Sequence, residues 1–530
     1  MDRKYGCPVF GTVTEDAPVV MTKYGEIRGF TRNKVAIFKG IPYAGPAGGK
    51  GRFLEPADVI PWEGTRDCTK NGFYAMQNGV SIGADPGPLA AYYKGKDVNS
   101  TGELETQGED CLVLDILTPG IDNKKRPVVF YIHGGGFATG SGTMVAAADP
   151  FCREEDIVVV GVNHRLNIFG YLYLGGLSEK YKGSGSAGMM DLVKALEWVQ
   201  GNIAAFGGDP ENVTIMGESG GGMKVSTLMV MPAAKGLFHK AIVESGSGPI
   251  GLNTIERSEK MTETVLQNLG LTHDSWEELL TLPAEKLLDA MKNLGPMGFN
   301  PTADNVNIPD LTDSGYRFGN AAYSADIPLL VGASEDESGL FAPIDETMSW
   351  DGLSDRLEKN GLGAMFSPVK KELSKEKVQE IVKVFRDANI KNDSPFQTFV
   401  KITSLYGVLA GGAYAHAMER EGSEEFKAPV YLYSNAYDSA RPDDIRYGFA
   451  FHTCDLPLQM RIVQRDQDDW ISRIYAHAWA AFMRSGDPST EKYPWPAFTT
   501  EKKETMVFDN NGMTGLSDDP YREMREAFGL

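Results

Sequence analysis

The chain has 530 residues and a formal net charge of −20, with 72 acidic against 52 basic residues. Its 42% hydrophobic and 23% charged residues are ordinary for a globular protein with a large core. A surface of this charge repels phosphate backbones and anionic lipids, so nucleic acid and membrane surfaces are excluded as expected partners.

Short β-branched and aromatic runs alternate with longer helical patterns, which predicts an α/β fold with a large, mostly parallel sheet. Apolar side chains recur at helical spacing over residues 191–205 and 370–385, and a third helix is predicted to end near Met231. No linker divides the chain, so we expect one domain over residues 1–530. The predicted strands are, in chain order, 127–132, 157–162, 212–216, 328–332 and 429–433.

A glycine-rich loop, His-Gly-Gly-Gly-Phe at residues 133–137, directly follows the first of these strands. Successive glycines let the backbone turn its N–H groups toward a developing oxyanion, which side chains would otherwise obstruct. We therefore predict Gly135 and Gly136 as oxyanion donors. The alternative is an ordinary glycine turn. His133 is expected to orient the loop by hydrogen bonding rather than to transfer protons.

Residues 217–221, Gly-Glu-Ser-Gly-Gly, match the G-x-S-x-G pattern between a predicted strand and a predicted helix. This context is that of a nucleophile elbow, in which a sharp turn exposes the serine hydroxyl above the sheet. Ser219 is the predicted nucleophile, and the N–H of Gly220 is the third predicted oxyanion donor. The alternative is a loop serine that only caps the following helix.

A serine nucleophile needs a base, and the chain has seven histidines. In α/β-hydrolases the chain order is serine, then acid, then histidine, which removes His133 and His164. His239 and His273 lie too early to leave room for an acid after a further strand. His416 and His477 lie in helical patterns, where a satisfied packing histidine is the favoured interpretation. His452 follows the last predicted strand and is the predicted base.

The acid is expected just after the strand 328–332, where three acidic residues stand together. Glu335, Asp336 and Glu337 are nearly equal candidates from position alone. Each of them could also be a solvated loop charge.

These motifs, together with others along the chain, resemble the type-B carboxylesterase family of carboxylesterases and cholinesterases. The resemblance covers almost the whole chain and implies an α/β-hydrolase fold with helical insertions around the active-site gorge. Its matching segments are residues 24–29, 38–44, 52–53, 109–112, 133–137, 163–165, 206–213, 217–221, 486–488 and 495–496.

The resemblance also implies which acid acts, because the second acid of the family's Gly-x-x-x-Asp-Glu-Gly pattern falls on Glu337. Three departures from the family stand beside it. Gly220 replaces the usual alanine, and the loop after His452 reads Thr-Cys-Asp-Leu instead of Gly-x-Glu-Leu. Lys224 occupies a position where a small residue is usual; we expect it to be solvated or ion-paired, with contact to substrate as the alternative.

Insertions are expected at about residues 68–111, 250–325 and 340–425, where they would line the pocket together with the segment after residues 245–248. Cys68 and Cys111 match two half-cystines of secreted relatives. The first residues show no secretion signal, so we expect free thiols and a cytoplasmic protein.

The predicted function is that of a serine carboxylesterase, which forms an acyl-enzyme on Ser219 and releases an alcohol and a carboxylate. A small-molecule ester is the expected partner, and no metal or organic cofactor is expected. The oligomeric state and the preferred acyl and alcohol sizes do not follow from the sequence. The alternatives are the same triad acting on amides, carbamates or thioesters, and a catalytically silent cholinesterase-like binding module.

Overall fold

The described residues of this computed structural model are 13–14, 17–78, 106–247, 251–292, 294, 298–310, 318–342, 344–363, 370–388, 392–438, 449–463, 466–510 and 513–530. Their strands, numbered β1 to β17, are Val13–Thr14, Val19–Thr22, Gly25–Arg28, Phe30–Arg32, Val35–Pro42, Thr65–Asp67, Val113–Thr118, Arg126–Ile132, Val158–Val162, Gly208–Glu218, Lys240–Glu244, Leu329–Ser334, Leu362–Gly363, Lys370–Lys371, Val430–Asn435, Glu504–Phe508 and Gly515–Asp518.

The helices fall between and after these strands, and α-helices, 3₁₀ turns and one π-helix are all present. The α-helices, numbered α1 to α14, are Asp149–Glu154, Asn167–Tyr171, Ala187–Asn202, Gly220–Leu228, Ile255–Leu269, Ala284–Ala290, Ala321–Ser324, Trp350–Asn360, Lys375–Asp387, Pro395–Ser404, Ala415–Glu421, Leu456–Gln459, Asp469–Ser485 and Arg522–Phe528. The 3₁₀ turns are Gly49–Gly51, Gly142–Ala147, Glu179–Tyr181, Ser184–Ser186, Ile203–Phe206, Pro232–Ala234, His273–Leu280, Glu337–Leu340 and Asp466–Asp468, and the π-helix is Leu405–Tyr414.

The main sheet has the strand order β1-β4-β5-β7-β9-β8-β10-β11-β12-β15-β16-β17 within the described residues. Every neighbouring pair from β9 to β16 is parallel, and the pairs at both ends are antiparallel. The sheet is therefore large and mostly parallel, as predicted. The carboxyl ends of β8, β10, β11, β12 and β15 meet at one edge, where ligands bind in open α/β sheets.

The central strands are buried on both faces, which is why they read as continuous apolar runs. Successive side chains of β8 point to opposite sides of the sheet. Val128, Phe130 and Ile132 join one hydrophobic core, and Val129 and Tyr131 join the other. The sheet thus lies between two hydrophobic layers. Because the side chains of its central strands are buried in these layers, functional residues are expected in the loops at the carboxyl edge.

Most predicted elements are present, with shifted ends. The predicted helix 370–385 is wrong at its start, because α9 begins at Lys375 after Ser374, whose hydroxyl accepts from the N–H of Lys377 at 3.3 Å. The first two residues of the predicted helix, Lys370–Lys371, form β14 and pair with β13. The helix therefore starts five residues later than the apolar spacing predicted, because Lys370–Lys371 pair as a strand and Ser374 caps the helix.

The three predicted insertions lie between β6 and β7, between β11 and β12, and between β12 and β15, and the third of them contains β13 and β14. Much of the predicted pocket lining, including residues 79–105 and 248–250, lies outside the described residues. In the described part of the chain, no helix is long and apolar enough to cross a membrane.

Candidate active site

Ser219 lies in a sharp turn between β10 and α4. Its backbone has φ 58° and ψ −123°, a conformation that residues other than glycine rarely adopt. The N–H of Ser219 donates to the carbonyl of Glu244 at 2.8 Å, so the neighbouring strand β11 holds the turn in place. This is the strained geometry of a nucleophile elbow.

The glycine loop runs beside this turn. Gly135 and Gly136 have φ values of 89° and 63°, in the left-handed region that favours glycine. A Cβ atom at Gly220 would overlap the backbone of Gly136, so the loop and the elbow touch. Among the described residues, nothing accepts a hydrogen bond from the N–H groups of Gly135 or Gly136. Such unused donors can serve an oxyanion.

His452 and Glu337 form a buried pair at the same edge. The Nδ1 atom of His452 donates to Glu337 Oε2, and both side chains are almost fully buried. The other carboxylate oxygen, Oε1, accepts from the N–H of Ser334 at 2.8 Å and from the hydroxyl of Ser245. Three donors therefore hold the carboxylate, and the carboxylate holds the imidazole in one orientation.

The two other acid candidates have different partners. Glu335 accepts from the hydroxyl of Tyr521 at 2.6 Å and lies 3.5 Å from the Lys401 ammonium. Asp336 accepts from the N–H of Ala450 at 3.1 Å, and burial raises its pKa to about 7. Of the three adjacent acids, Glu337 is the one that contacts His452.

A second carboxylate, Glu218, also faces the imidazole. Its Oε1 lies 3.3 Å from His452 Nδ1, which places the imidazole beside the residue that precedes Ser219. Burial lowers the pKa of His452, but the charges of Glu218 and Glu337 outweigh burial and raise this pKa to about 9. Burial raises the pKa of Glu218 to about 8.

Two more acids lie behind this group: Asp455, in the altered loop after His452, and Glu244, at the end of β11. Asp455 accepts from the hydroxyl of Tyr433 at 3.2 Å, and burial raises its pKa to about 6. Glu244 accepts from the indole N–H of Trp479 at 2.8 Å, and burial holds its pKa well above the usual range. The shortened acid at position 455 thus still belongs to a buried carboxyl cluster: Glu218, Glu244, Glu337 and Asp455.

The expectation for Lys224 was wrong. Its side chain is fully buried on α4 and makes no ion pair within the described part of the chain. Its Nζ atom donates to the carbonyl of His133 at 3.0 Å and lies 5.6 Å from the centre of the Phe137 ring. Burial lowers the pKa of Lys224 to about 7. The amine of Lys224 therefore hydrogen-bonds to the glycine loop rather than to solvent or a carboxylate.

Three other histidines, His133, His416 and His477, have partners other than the triad candidates. His133 contacts the Gly134 carbonyl through Nδ1 at 2.9 Å and stacks on His164, in line with a role in orienting the loop. His416 stacks on Phe318, but its ring nitrogens have no hydrogen-bond partner among the described residues, so the expectation of a satisfied histidine was wrong. His477 is more than half exposed and lies 3.3 Å from Glu155, so it is not a packing histidine.

Cys68 and Cys111 are free, buried thiols, as expected. The described residues contain no group of His, Cys, Asp and Glu side chains arranged to hold a metal ion.

Sequence reasoning missed Glu218, Ser245 and the contact of Lys224. Glu218 is the variable residue of the G-x-S-x-G pattern, and Ser245 directly follows the strand β11. Both residues lie at the carboxyl end of a strand, and this position could have marked them as candidates for the site. The same kind of position was used to predict Glu337 and His452.

Comparison with known proteins identifies the family of the chain. The sequence model of the carboxylesterase family matches residues 16–528. The para-nitrobenzyl esterase of Bacillus subtilis (strain 168) is 33% identical over 96% of this chain and 98% of its own length. The solved carboxylesterase of Geobacillus stearothermophilus superposes with a TM-score of 0.77 at 33% identity, covering 96% of this chain and 99% of its own.

An esterase of the anaerobe Clostridium hathewayi, whose structure is also solved, gives a TM-score of 0.78 at 31% identity over 97% of this chain and 98% of its own. These relatives match the chain from end to end, so the likeness is not confined to one motif. The chain is a hydrolase of carboxylic esters and belongs to the carboxylesterase family.

Proposed function

We propose that Ser219, His452 and Glu337 form the catalytic triad of this esterase and that Gly135, Gly136 and Gly220 form its oxyanion hole. The observation that carries the proposal is the Glu337–His452 pair beside the strained elbow of Ser219. Nucleophile, base and acid follow three parallel strands, β10, β15 and β12, whose carboxyl ends share one edge.

The proposed reaction is two-step acyl transfer. His452 takes the proton of the Ser219 hydroxyl while Oγ attacks the ester carbonyl, and Glu337 stabilises the imidazolium. The negative charge moves to the carbonyl oxygen, toward the backbone N–H groups of the glycine loop. The C–O bond then breaks, the alcohol leaves with the proton from His452, and water repeats the sequence on the acyl-enzyme.

The proposed substrates are small, uncharged carboxylic esters. Four buried carboxyl groups, those of Glu218, Glu244, Glu337 and Asp455, lie near the base, and neither their neutral nor their ionised form offers a positive charge to an anionic substrate. A para-nitrobenzyl ester is a suitable further probe, because a relative with 33% identity is named for that group. A cytoplasmic location is part of the proposal, supported by the free thiols Cys68 and Cys111.

Hydrolysis of p-nitrophenyl acetate, butyrate and octanoate by the wild type and Ser219→Ala tests the proposal. We expect wild-type turnover and a loss of at least about a thousandfold in kcat for Ser219→Ala, since the attacking atom is removed. Ser258→Ala, which removes a buried serine hydroxyl on α5, serves as control and should keep its activity. Full activity of Ser219→Ala would refute the proposal. If Ser219→Ala is inactive as expected, the wild-type rates on the three acyl lengths measure the size of the acyl pocket.

The alternatives are not favoured. A silent binding module does not fit a chain whose relatives are named as esterases over nearly their whole length. The preference for esters over amides is tested by comparing matched p-nitrophenyl esters and p-nitroanilides. A faster rate on the anilide would replace the ester assignment.

A further inference from the structure

Lys224 is a fully buried lysine that the proposed reaction does not use. It lies on α4, one turn after Gly220, so it moves with the helix that carries the nucleophile. An amine buried without a carboxylate partner costs stability, and an apolar side chain of similar length would avoid that cost. Packing alone therefore does not account for a lysine at this position.

The two contacts of Lys224 fall at the two ends of the glycine loop. Its Nζ atom donates to the carbonyl of His133 at 3.0 Å, where β8 ends and the loop begins. The same atom lies 5.6 Å from the ring of Phe137, where the loop closes. Residues 134–136 between these contacts are all glycine and have no side chains with which to hold their own conformation.

The other contacts of the loop come from elsewhere in the chain, among them the N–H of Asn167, which donates to the carbonyl of Phe137 at 2.7 Å. His133 stacks on His164 at 4.9 Å, and the two rings are close to parallel. Burial holds the pKa of His164 well below its usual range, and the charge of Lys224 lowers it further. The hydrogen bond from Lys224 links α4, which follows Ser219, directly to the start of the loop.

We propose that Lys224 is a positioning residue of the oxyanion hole, which holds residues 133–137 against α4 so that the N–H groups of Gly135 and Gly136 meet the developing oxyanion. The inference rests on the proposed function of that loop. It assigns no proton transfer and no substrate contact to the lysine.

The test compares Lys224→Met with the wild type on p-nitrophenyl butyrate. Methionine is apolar and of similar length, so it fills the space but cannot donate. We expect kcat to fall by about tenfold to a hundredfold, because misplacing transition-state donors costs rate. KM should stay within about threefold, since the ester ground state does not need those donors.

Lys240→Met is the matched control. Lys240 is also buried, has a pKa that burial lowers to about 8, and bonds to a side-chain oxygen of Asn212. It begins β11, at the opposite end of that strand from the active site. This variant should show a similar change in melting temperature and an unchanged kcat.

A trifluoromethyl ketone and its unfluorinated analogue separate the oxyanion hole from general packing. Attack of Ser219 Oγ on the fluorinated ketone gives a hemiketal oxyanion, with the serine proton on His452. Lys224→Met should weaken the fluorinated inhibitor by the same factor as kcat/KM and leave the unfluorinated ketone unchanged. If Lys224→Met does not fold, Lys224→Gln, which keeps a shorter N–H donor, is measured in its place and should show a smaller loss of the same kind.

Wild-type kcat and wild-type affinity for the fluorinated ketone in a folded Lys224 variant would overturn the inference. A loss confined to KM would also overturn it. Ser219→Ala keeps this failure distinct from failure of the proposed function: an active Ser219→Ala refutes the triad, whereas an inactive Ser219→Ala beside a fully active Lys224→Met refutes only the role of the lysine.

Discussion

Two carboxylates face the imidazole of His452, and their contributions differ. Glu337 is held by Ser334 and Ser245, and its place is set by three donors. Glu218 faces the same Nδ1 atom at 3.3 Å, and its Oε1 accepts no hydrogen bond in the described part of the structure. The first is suited to orient the base, and the second acts mainly through its charge.

Replacing Glu218 by glutamine should therefore change the pH dependence of the reaction. In the proposed mechanism His452 must be neutral to act as the base, so we expect kcat/KM to rise as pH rises through its pKa of about 9. Glu218→Gln removes a charge that raises this pKa, and the rising limb should move to lower pH by about one unit. The measurement is kcat/KM for p-nitrophenyl butyrate against pH.

Glu335→Gln, on the loop of Glu337 but paired with Tyr521 and Lys401, is the control and should leave the limb in place. A limb that does not move in Glu218→Gln would show that the charge of Glu218 does not reach the base.

At the scale of elements, the turn that carries Ser219 and the glycine loop approach each other more closely than side chains would allow. The turn after β10 and the loop after β8 meet at Gly220 and Gly136, where a Cβ atom would overlap the opposing backbone. Parallel pairing of β8 with β10, from Val213 opposite Val128 to Gly217 opposite Ile132, brings these two strand ends side by side. Glycine at position 220 therefore fits the close approach of the two backbones, where the alanine usual in the family would overlap Gly136.

Gly220→Ala should lower kcat by at least about tenfold, because the loop must move away and carry its donors with it. KM should change less than kcat. Gly515→Ala is the matched control, since a Cβ atom there meets nothing within 4 Å. The measurement is kcat and KM for p-nitrophenyl butyrate in Gly220→Ala, Gly515→Ala and the wild type. Wild-type kcat in Gly220→Ala would mean that the loop has room for the methyl group.

For the molecule as a whole, the buried carboxyl cluster links stability to pH. Burial raises the pKa of Glu244 well above 4.5, and it raises the values for Glu218 and Asp455 to about 8 and about 6. In the unfolded chain these groups ionise near their usual values, at about 4. Between the unfolded and folded pKa values the native state binds more protons, so the free energy of unfolding falls as pH rises.

Glu244→Gln should reduce this fall, because glutamine still accepts from Trp479 but does not ionise. We expect the wild type to melt at a higher temperature at pH 5 than at pH 8, and the variant to show a smaller difference. Thermal unfolding followed by circular dichroism at both pH values measures it. Glu263→Gln, an exposed substitution on α5, should keep the wild-type difference. An equal difference in Glu244→Gln would place the pH dependence elsewhere.

The fold class and the order of the site residues could be predicted from the sequence. A parallel sheet buried on both faces needs short apolar strands, and such runs are visible without knowledge of their neighbours. The chain order of serine, acid and histidine then left few candidates for the base. Position alone could not separate Glu335, Asp336 and Glu337, and only the resemblance to a family favoured Glu337. The contact with His452 agrees with that choice.

The surroundings of Lys224 could not be predicted, for a physical reason. Every residue of α4 is buried, so the helix has no polar face from which the exposure of one side chain could be inferred. Whether a lysine there meets solvent, a carboxylate or a backbone carbonyl depends on which strand lies beside β10 and on how closely its loop approaches. The contacts of Glu218 and Ser245 with the triad candidates arise in the same way: Glu218 ends β10, Ser245 directly follows β11, and the order of strands in the sheet brings these ends together.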